Sequence, residues 1–195
     1  FLNIAWSWLG VAALFLSGGV VTPILIRSLG TERFGVWALA LSLVEYVWMI
    51  DLGLRPATVK LSAEMLASGR KRDLNQMLST ALAYSSLAGV VLLLLTWPTA
   101  GRIGTMLRIE DPQFAFLVRM VSLSWAFGLI FNIFVAMIQG FQRFDYINRI
   151  SIIQTLARSG LSLFLVLSGG GLREMGFALV STQGASYLMM YLAAR

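Results

Sequence analysis

The chain has 195 residues, of which 58% are hydrophobic and only 12% are charged, against about 45–50% and about 25% in ordinary globular domains. It contains no cysteine and no histidine, which excludes a disulfide framework, a thiolate nucleophile, a standard zinc site and a histidine proton relay. The net charge is +6, but the basic residues lie mostly in short segments between apolar stretches, so we expect no nucleic-acid partner.

Six long apolar stretches dominate the sequence, with only short polar breaks between them. Each stretch is long enough, or nearly so, to cross a hydrocarbon core about 30 Å thick at about 1.5 Å per helical residue. A water-soluble domain of this length could not cover six such segments. We therefore predict an all-α polytopic membrane protein, a single lobe of six transmembrane helices. The stretches lie at residues 2–26, 34–50, 76–98, 114–139, 150–168 and 175–194.

The first stretch contains Gly18-Gly19 and then Thr22-Pro23. Proline removes a backbone donor and bends a helix, and neighbouring hydroxyls can satisfy the freed carbonyls. We expect a bend at Pro23, which is either a gating hinge or a place where small residues pack closely against a neighbouring helix. Because the chain starts at Phe1 inside an apolar stretch and ends inside another, we also expect it to be part of a longer polypeptide.

The break at 51–72 is the longest and most charged connection. Pro56 suits a first helical position and Gly69 suits the position after a helix end. Between them, apolar residues recur at helical spacing, and we predict an amphipathic helix at about 56–68 that lies on the membrane interface. The basic residues 70–72 would then meet anionic lipid headgroups. The apolar positions are Leu54, Ala57, Leu61 and Met65.

Basic residues favour the breaks after the even-numbered stretches, most clearly the segment 52–73. Cytoplasmic loops of membrane proteins carry an excess of Lys and Arg. This bias predicts that the even-numbered breaks, and with them the N-terminus, lie in the cytoplasm.

Four ionisable residues lie within the apolar stretches or at their ends. A charge at the centre of a span costs at least about 2.5–3.5 kcal/mol, so such residues face protein or a water-filled cavity. Arg158 lies close to the predicted midplane, and a guanidinium is never neutral in a protein. It therefore needs water, an anionic substrate or a partner such as Glu45. Asp51 pairs with Arg55 one turn further on, or else joins Glu45 as a group for ion coupling. The fourth residue is Arg119.

A polar stripe runs along the fifth stretch at three- and four-residue steps. Asn132 and Gln139 share one face of the fourth stretch, and Thr182 lies on the sixth. Such amides and hydroxyls commonly bond across helix contacts for about 0.6–2 kcal/mol, and we favour that interpretation for them. For Arg158 we favour a wet cavity along the bundle axis. The stripe consists of Ser151, Gln154, Arg158 and Ser162.

Enzyme signatures are missing from the sequence. It has no nucleophile elbow, no H-E-x-x-H zinc motif and no Walker loop, and the segment 51–57 does not fit the aspartate motif of six-helix membrane phosphotransferases. We expect neither enzymatic activity nor a cofactor.

Three short motifs carry a resemblance to a known family. The segment LGTERFGVW at 29–37 resembles the turn between the first two helices of polysaccharide flippases. The segment DLGL at 51–54, with Ala57, resembles the end of their second helix. The segment GFQR at 140–143, with Asn148, is similar to their cytoplasmic turn between helices four and five. On these motifs the chain resembles the O-antigen (Wzx-like) lipid-linked oligosaccharide flippases of the multidrug/oligosaccharidyl-lipid/polysaccharide (MOP) superfamily.

The resemblance implies a MATE-like fold of twelve to fourteen helices in two lobes, of which this chain would supply the N-terminal one. It implies alternating access, which would move a polyprenyl-pyrophosphate oligosaccharide across a bacterial or archaeal cytoplasmic membrane for O-antigen, lipopolysaccharide or other polysaccharide synthesis. Membrane lipids, a polysaccharide polymerase and chain-length machinery are the implied partners.

The ionisable and polar residues fit such a substrate, although their choice comes from depth and helical face. Passage of a bare diphosphate through hydrocarbon is prohibitive, and arginine forks onto phosphate oxygens. Arg158 and Arg119 are therefore the predicted pyrophosphate ligands. The predicted sugar ligands are Gln154, Asn132, Gln139 and Thr182.

Three other interpretations remain open. Half of a cation-coupled multidrug antiporter would use Glu45 or Asp51, although the basic residues within the spans argue against a cationic substrate. A complete six-helix subunit that binds a small molecule for a partner ATPase fits the length but not the motifs. A non-transporting assembly protein would leave the charges within the spans unexplained.

Overall fold

The computed structural model describes residues 2–45, 53–109 and 111–194. These residues form α-helices joined by short turns, without a β-strand, so the predicted all-α class is confirmed. The helices are α1 Leu2–Leu29, α2 Thr31–Glu45, α3 Leu54–Ala67, α4 Lys71–Met106, α5 Phe114–Gly140, α6 Phe144–Leu167 and α7 Leu172–Ala194.

Three helices, α4, α5 and α6, are long and apolar enough to cross a membrane. The segment Gly18–Leu29 of α1 is a shorter apolar helix. The chain is therefore a polytopic membrane protein, as predicted. That it has six spans, arranged as one lobe over residues 1–195, stays a prediction.

Helix α5 is the centre of the packing, because α2, α3, α4 and α7 all contact it. One apolar core joins α2 to the first half of α5, where Trp37 and Ala40 pack with Leu117 and Val121. A second core joins the last part of α5 to α6 and α7. Apolar contact with helices on several sides explains why half of the apolar stretch of α5 is buried.

A hairpin of α3 and α4 packs against α5 at close range. A Cβ atom at Gly140 would lie 2.8 Å from Ser62 Cβ and 2.9 Å from the Val59 carbonyl oxygen. The side of α3 that faces inward is small and polar, because Thr58 and Ser62 are fully buried. The apolar side of α3 lines a groove between α3 and α4. The interfacial position of α3, expected at about 56–68, stays a prediction.

Pro23 lies inside α1, and the helix continues through it to Leu29. A Cβ atom at Gly18 or Gly19 would meet nothing within 4 Å among the described atoms. The described atoms thus show no close packing at these two glycines. The hinge at Pro23 stays a prediction.

Candidate functional site

The polar face of α6 borders two cavities that meet at Arg158. The larger one, about 380 Å³, is lined by residues of α2, α3, α5, α6 and α7. The smaller one, about 300 Å³, is lined by residues of α1, α2, α6 and α7. Leu41, Arg158 and Leu179 line both cavities. The two cavities are thus adjacent at one guanidinium, and we call the pair the Arg158 cavity.

The larger half of the Arg158 cavity is polar and positively charged. Its described lining residues include two guanidinium groups and no carboxylate. Hydroxyls and amides from α5, α6 and α7 provide hydrogen-bond donors and acceptors around them. The polar lining consists of Arg55, Ser124, Asn132, Ser151, Gln154, Arg158, Gln183 and Tyr187.

The smaller half has fewer polar lining residues. Arg158 and Ser162 come from α6, and Thr22 comes from the turn of α1 that precedes Pro23. Trp37 of α2 closes part of this wall and is itself 8% exposed. A conformational change at Pro23 would thus change the shape of this half of the cavity.

A hydrogen-bonded chain of side chains forms the wall between α6 and α7. Gln154 Nε2 donates to Gln183 Oε1 at 2.5 Å, and Gln183 Nε2 donates to Tyr187 Oη at 2.6 Å. The Tyr187 ring stacks on Phe131 of α5 with centroids 5.0 Å apart. These contacts fix the orientation of the amides that face the cavity.

Arg158 makes no ion pair with any residue that the structure describes. Arg158 is an exposed residue, and it lines both cavities. Glu45, the predicted partner, is the last residue of α2, but the structure does not describe its side chain. Asp51 lies outside the described residues. The roles predicted for these two acids therefore stay predictions.

The structure brings Arg158, Gln154 and Asn132 to one cavity, and the other three predicted ligands are not among the lining residues. That any of the six binds substrate stays a prediction. Arg119 Nε donates to the Trp97 carbonyl at 3.3 Å and so ties α5 to α4. Thr182 donates to the Ala178 carbonyl of its own helix at 2.7 Å.

Gln139 is the residue before Gly140 at the end of α5. Neither half of the Arg158 cavity has Arg119, Gln139 or Thr182 in its lining. We therefore leave these three residues out of the candidate site.

Three polar residues of the cavity lining were missed from the sequence: Arg55, Ser124 and Tyr187. Tyr187 lies four residues after Gln183 on α7, and this i,i+4 spacing of hydrogen-bonding groups is the signal that could have revealed it. Arg55 was interpreted as a partner of Asp51. Its place in the cavity depends on how α3 packs against α5, which no local pattern shows.

Comparison with known protein families gives a match over almost the whole chain. A family described as polysaccharide biosynthesis protein matches residues 2–195. This range includes all of the apolar stretches and the motif-bearing turns at 29–37 and 140–143. Nothing matches among curated proteins or solved structures.

Proposed function

Because this chain belongs to the polysaccharide biosynthesis protein family, we propose that it moves a lipid-linked oligosaccharide across the cytoplasmic membrane. The substrate is an oligosaccharide on polyprenyl pyrophosphate, and the role is transport without catalysis. The cavity opens alternately to the cytoplasm and to the outside. A polysaccharide polymerase and chain-length machinery then use the product on the outer face.

The observation that carries this proposal is Arg158 at the junction of two cavities. A pyrophosphate loses its hydration when it leaves water, and this loss must be replaced by fixed donors and charge. The guanidinium offers five N–H donors in a planar fork that matches phosphate oxygens. We propose that this guanidinium binds the substrate anion.

Arg55 provides a second cation for the same substrate. It lies in the first turn of α3 and lines the larger half of the cavity together with Arg158. On the predicted topology α3 is at the cytoplasmic end of the lobe. An entering pyrophosphate would thus meet Arg55 first and Arg158 deeper in the membrane.

The amides and hydroxyls beside the two arginines suit the sugars of the substrate. Asn132, Gln154 and Gln183 offer both donors and acceptors, and the Gln154–Gln183–Tyr187 chain holds two of these amides in place. The polyprenyl chain needs no such groups, because it stays in the lipid.

A cation-coupled multidrug antiporter is less well supported. The described lining of the cavity carries two positive charges and no negative one, so it would repel a cationic drug. The binding subunit for a partner ATPase has no observation in its favour.

The test is a complementation experiment with the full-length gene in a host that lacks its own copy. Removing one member of a desolvated charge pair costs about 2–5 kcal/mol, so Arg158→Ala should reduce surface polysaccharide by at least about tenfold. Lipid-linked oligosaccharide should accumulate inside the cell. Arg102→Ala is the matched control, since Arg102 is exposed on α4 and lines neither half of the cavity.

Membrane insertion of both variants is checked by quantifying the protein in the membrane fraction. Normal surface polysaccharide with Arg158→Ala at normal protein level would contradict the proposal.

A further inference from the structure

A second concave site lies between α3 and α4 and shares no lining residue with the Arg158 cavity. It is an open groove of about 560 Å³. Leu54, Leu61 and Met65 of α3 face Met77 and Tyr84 of α4 across it. This apolar surface has no role in the proposed transport of a pyrophosphate.

The groove follows α4 from Asp73 to Tyr84, a distance of about 16 Å at about 1.5 Å per residue. Its lining changes along this path. Asp73, Gln76 and Thr80 come from the polar first turns of α4, whereas Ala81 and Tyr84 belong to its apolar part. One leaflet has a headgroup layer of about 5–8 Å and a hydrocarbon layer of about 15 Å. With the predicted span beginning at residue 76, the groove would reach from the headgroup layer into the upper acyl chains.

The segment that precedes the polar end of the groove carries an excess of positive charge. Arg70, in the turn between α3 and α4, binds Glu64 at 3.0 Å and Asp73 at 3.8 Å. The next two residues, Lys71 and Arg72, are exposed, and no ion pair joins either of them to the described part of the chain. The local acids are thus engaged by Arg70. Lys71 and Arg72 directly precede Asp73, which lines the polar end of the groove, and they are not themselves part of its lining.

We propose that this groove binds one anionic phospholipid. The phosphate lies at Lys71 and Arg72, and one acyl chain lies along Leu61, Met77 and Ala81. The apolar contact covers surface that no described residue of the chain covers, and the two cations select for the net negative headgroup. The bound lipid joins α3 to α4 at the end of the lobe that is predicted to be cytoplasmic, where anionic lipids give the membrane surface its negative potential.

The expected selectivity follows from the two charges. A basic residue near the membrane surface favours an anionic lipid by about fivefold. Lys71 and Arg72 together should therefore give a preference of about 25-fold for phosphatidylglycerol over phosphatidylcholine with the same acyl chains.

The test uses a reporter at the apolar end of the groove. The chain has no cysteine. In a cysteine-free full-length protein, Tyr84→Cys therefore provides a single site for a small thiol-reactive fluorophore. The labelled protein is placed in phosphatidylcholine vesicles that contain a small mole fraction of either phosphatidylglycerol or phosphatidylcholine with brominated acyl chains. Bromine quenches the fluorophore on contact, and quenching by the phosphatidylglycerol should be several-fold stronger.

Two controls make the measurement specific for the groove. Leu94→Cys places the fluorophore on an exposed position of α4, 68% accessible and outside the groove, where both brominated lipids should quench equally. In the Tyr84→Cys background, Lys71→Ser/Arg72→Ser should remove the excess quenching by phosphatidylglycerol. The matched double variant Arg33→Ser/Arg102→Ser removes two exposed charges elsewhere and should retain it.

Equal quenching by the two lipids at position 84 would overturn the proposal. So would an excess that persists in Lys71→Ser/Arg72→Ser. Neither result depends on transport, so the proposed function and the lipid site can fail separately.

Discussion

The hydroxyl of Tyr187 lies 2.6 Å from the position that a Cβ atom at Gly128 would occupy. Tyr187 thus fills the space that a missing side chain on α5 leaves open, and its ring stacks on Phe131 of the same helix. From this position the hydroxyl accepts the hydrogen bond from Gln183. The wall of the Arg158 cavity is therefore held by a contact that only glycine at 128 permits.

Gly128→Ala should destabilise the protein by about 1–3 kcal/mol, the usual cost of added bulk in a packed interior. The added methyl would displace the Tyr187 hydroxyl and break its bond to Gln183. The measurement is thermal unfolding in detergent, followed by circular dichroism.

Tyr187→Phe supplies the internal control for this clash. The atom next nearest to the added methyl carbon, Tyr187 Cζ, is 3.6 Å away, an ordinary contact distance. Gly128→Ala should therefore cost little in the Tyr187→Phe background. An equal loss of stability in both backgrounds would show that the phenol hydroxyl is not the obstacle.

Gln154 and Gln183 should be energetically coupled, because their amides bond directly between α6 and α7. Hydrogen bonds between membrane helices average about 0.6 kcal/mol and reach about 1.7 kcal/mol. A double-mutant cycle with Gln154→Leu and Gln183→Leu should give a coupling energy in this range. A coupling energy of zero would mean that the two amides do not bond in the folded protein.

Gly140→Ala should destabilise the α3–α5 contact, since the new Cβ would lie within 3 Å of both Ser62 and the Val59 carbonyl. A backbone atom cannot move away as a flexible side chain can, so we expect a loss of about 1–3 kcal/mol. The comparison variant is Gly160→Ala on α6, where a Cβ would meet nothing within 4 Å. It should be neutral or stabilising by up to about 1 kcal/mol. Similar melting temperatures for the two variants would refute the close approach.

The predicted topology places Lys71 in the cytoplasm and Arg102 outside. In a cysteine-free background, Lys71→Cys should resist a membrane-impermeant thiol reagent in intact cells and react only after lysis. Arg102→Cys should react without lysis. The reverse pattern would invert the orientation of the lobe, and the lipid groove would then face the outer leaflet.

The apolar pattern predicted a helix well where the apolar stretch covers the whole helix. The stretch 114–139 corresponds to α5, Phe114–Gly140. It predicted α4 less well, because the stretch 76–98 is only the middle of Lys71–Met106. Hydropathy detects only the apolar part of a helix. Polar turns at the two ends of the helix continue its backbone hydrogen bonding and so lengthen it. Pro98 does not end the helix, because proline costs one hydrogen bond that other groups in a membrane helix can replace.

The candidate site was predictable in part. Spacing along α6 showed that Gln154 and Arg158 share a face, and the cost of a charge in lipid predicted that this face borders a cavity. The same reasoning placed Arg119 there as well, but this guanidinium contacts the Trp97 carbonyl instead. Arg55 could not be predicted, because its position follows from the packing of α3 on α5, which depends on contacts distant in sequence.

The central claim is that a positive charge at position 158 holds the anionic part of the substrate. Arg158→Cys, in a cysteine-free full-length protein, should abolish transport in inside-out vesicles supplied with lipid-linked oligosaccharide. A thiol reagent that adds an aminoethyl group restores a cation at this position, whereas one that adds a sulfonatoethyl group places an anion there. We predict that the aminoethyl reagent restores a measurable part of the transport and that the sulfonatoethyl reagent restores none. Transport by the unmodified Arg158→Cys protein at the parent rate, or equal recovery with both reagents, would contradict the account.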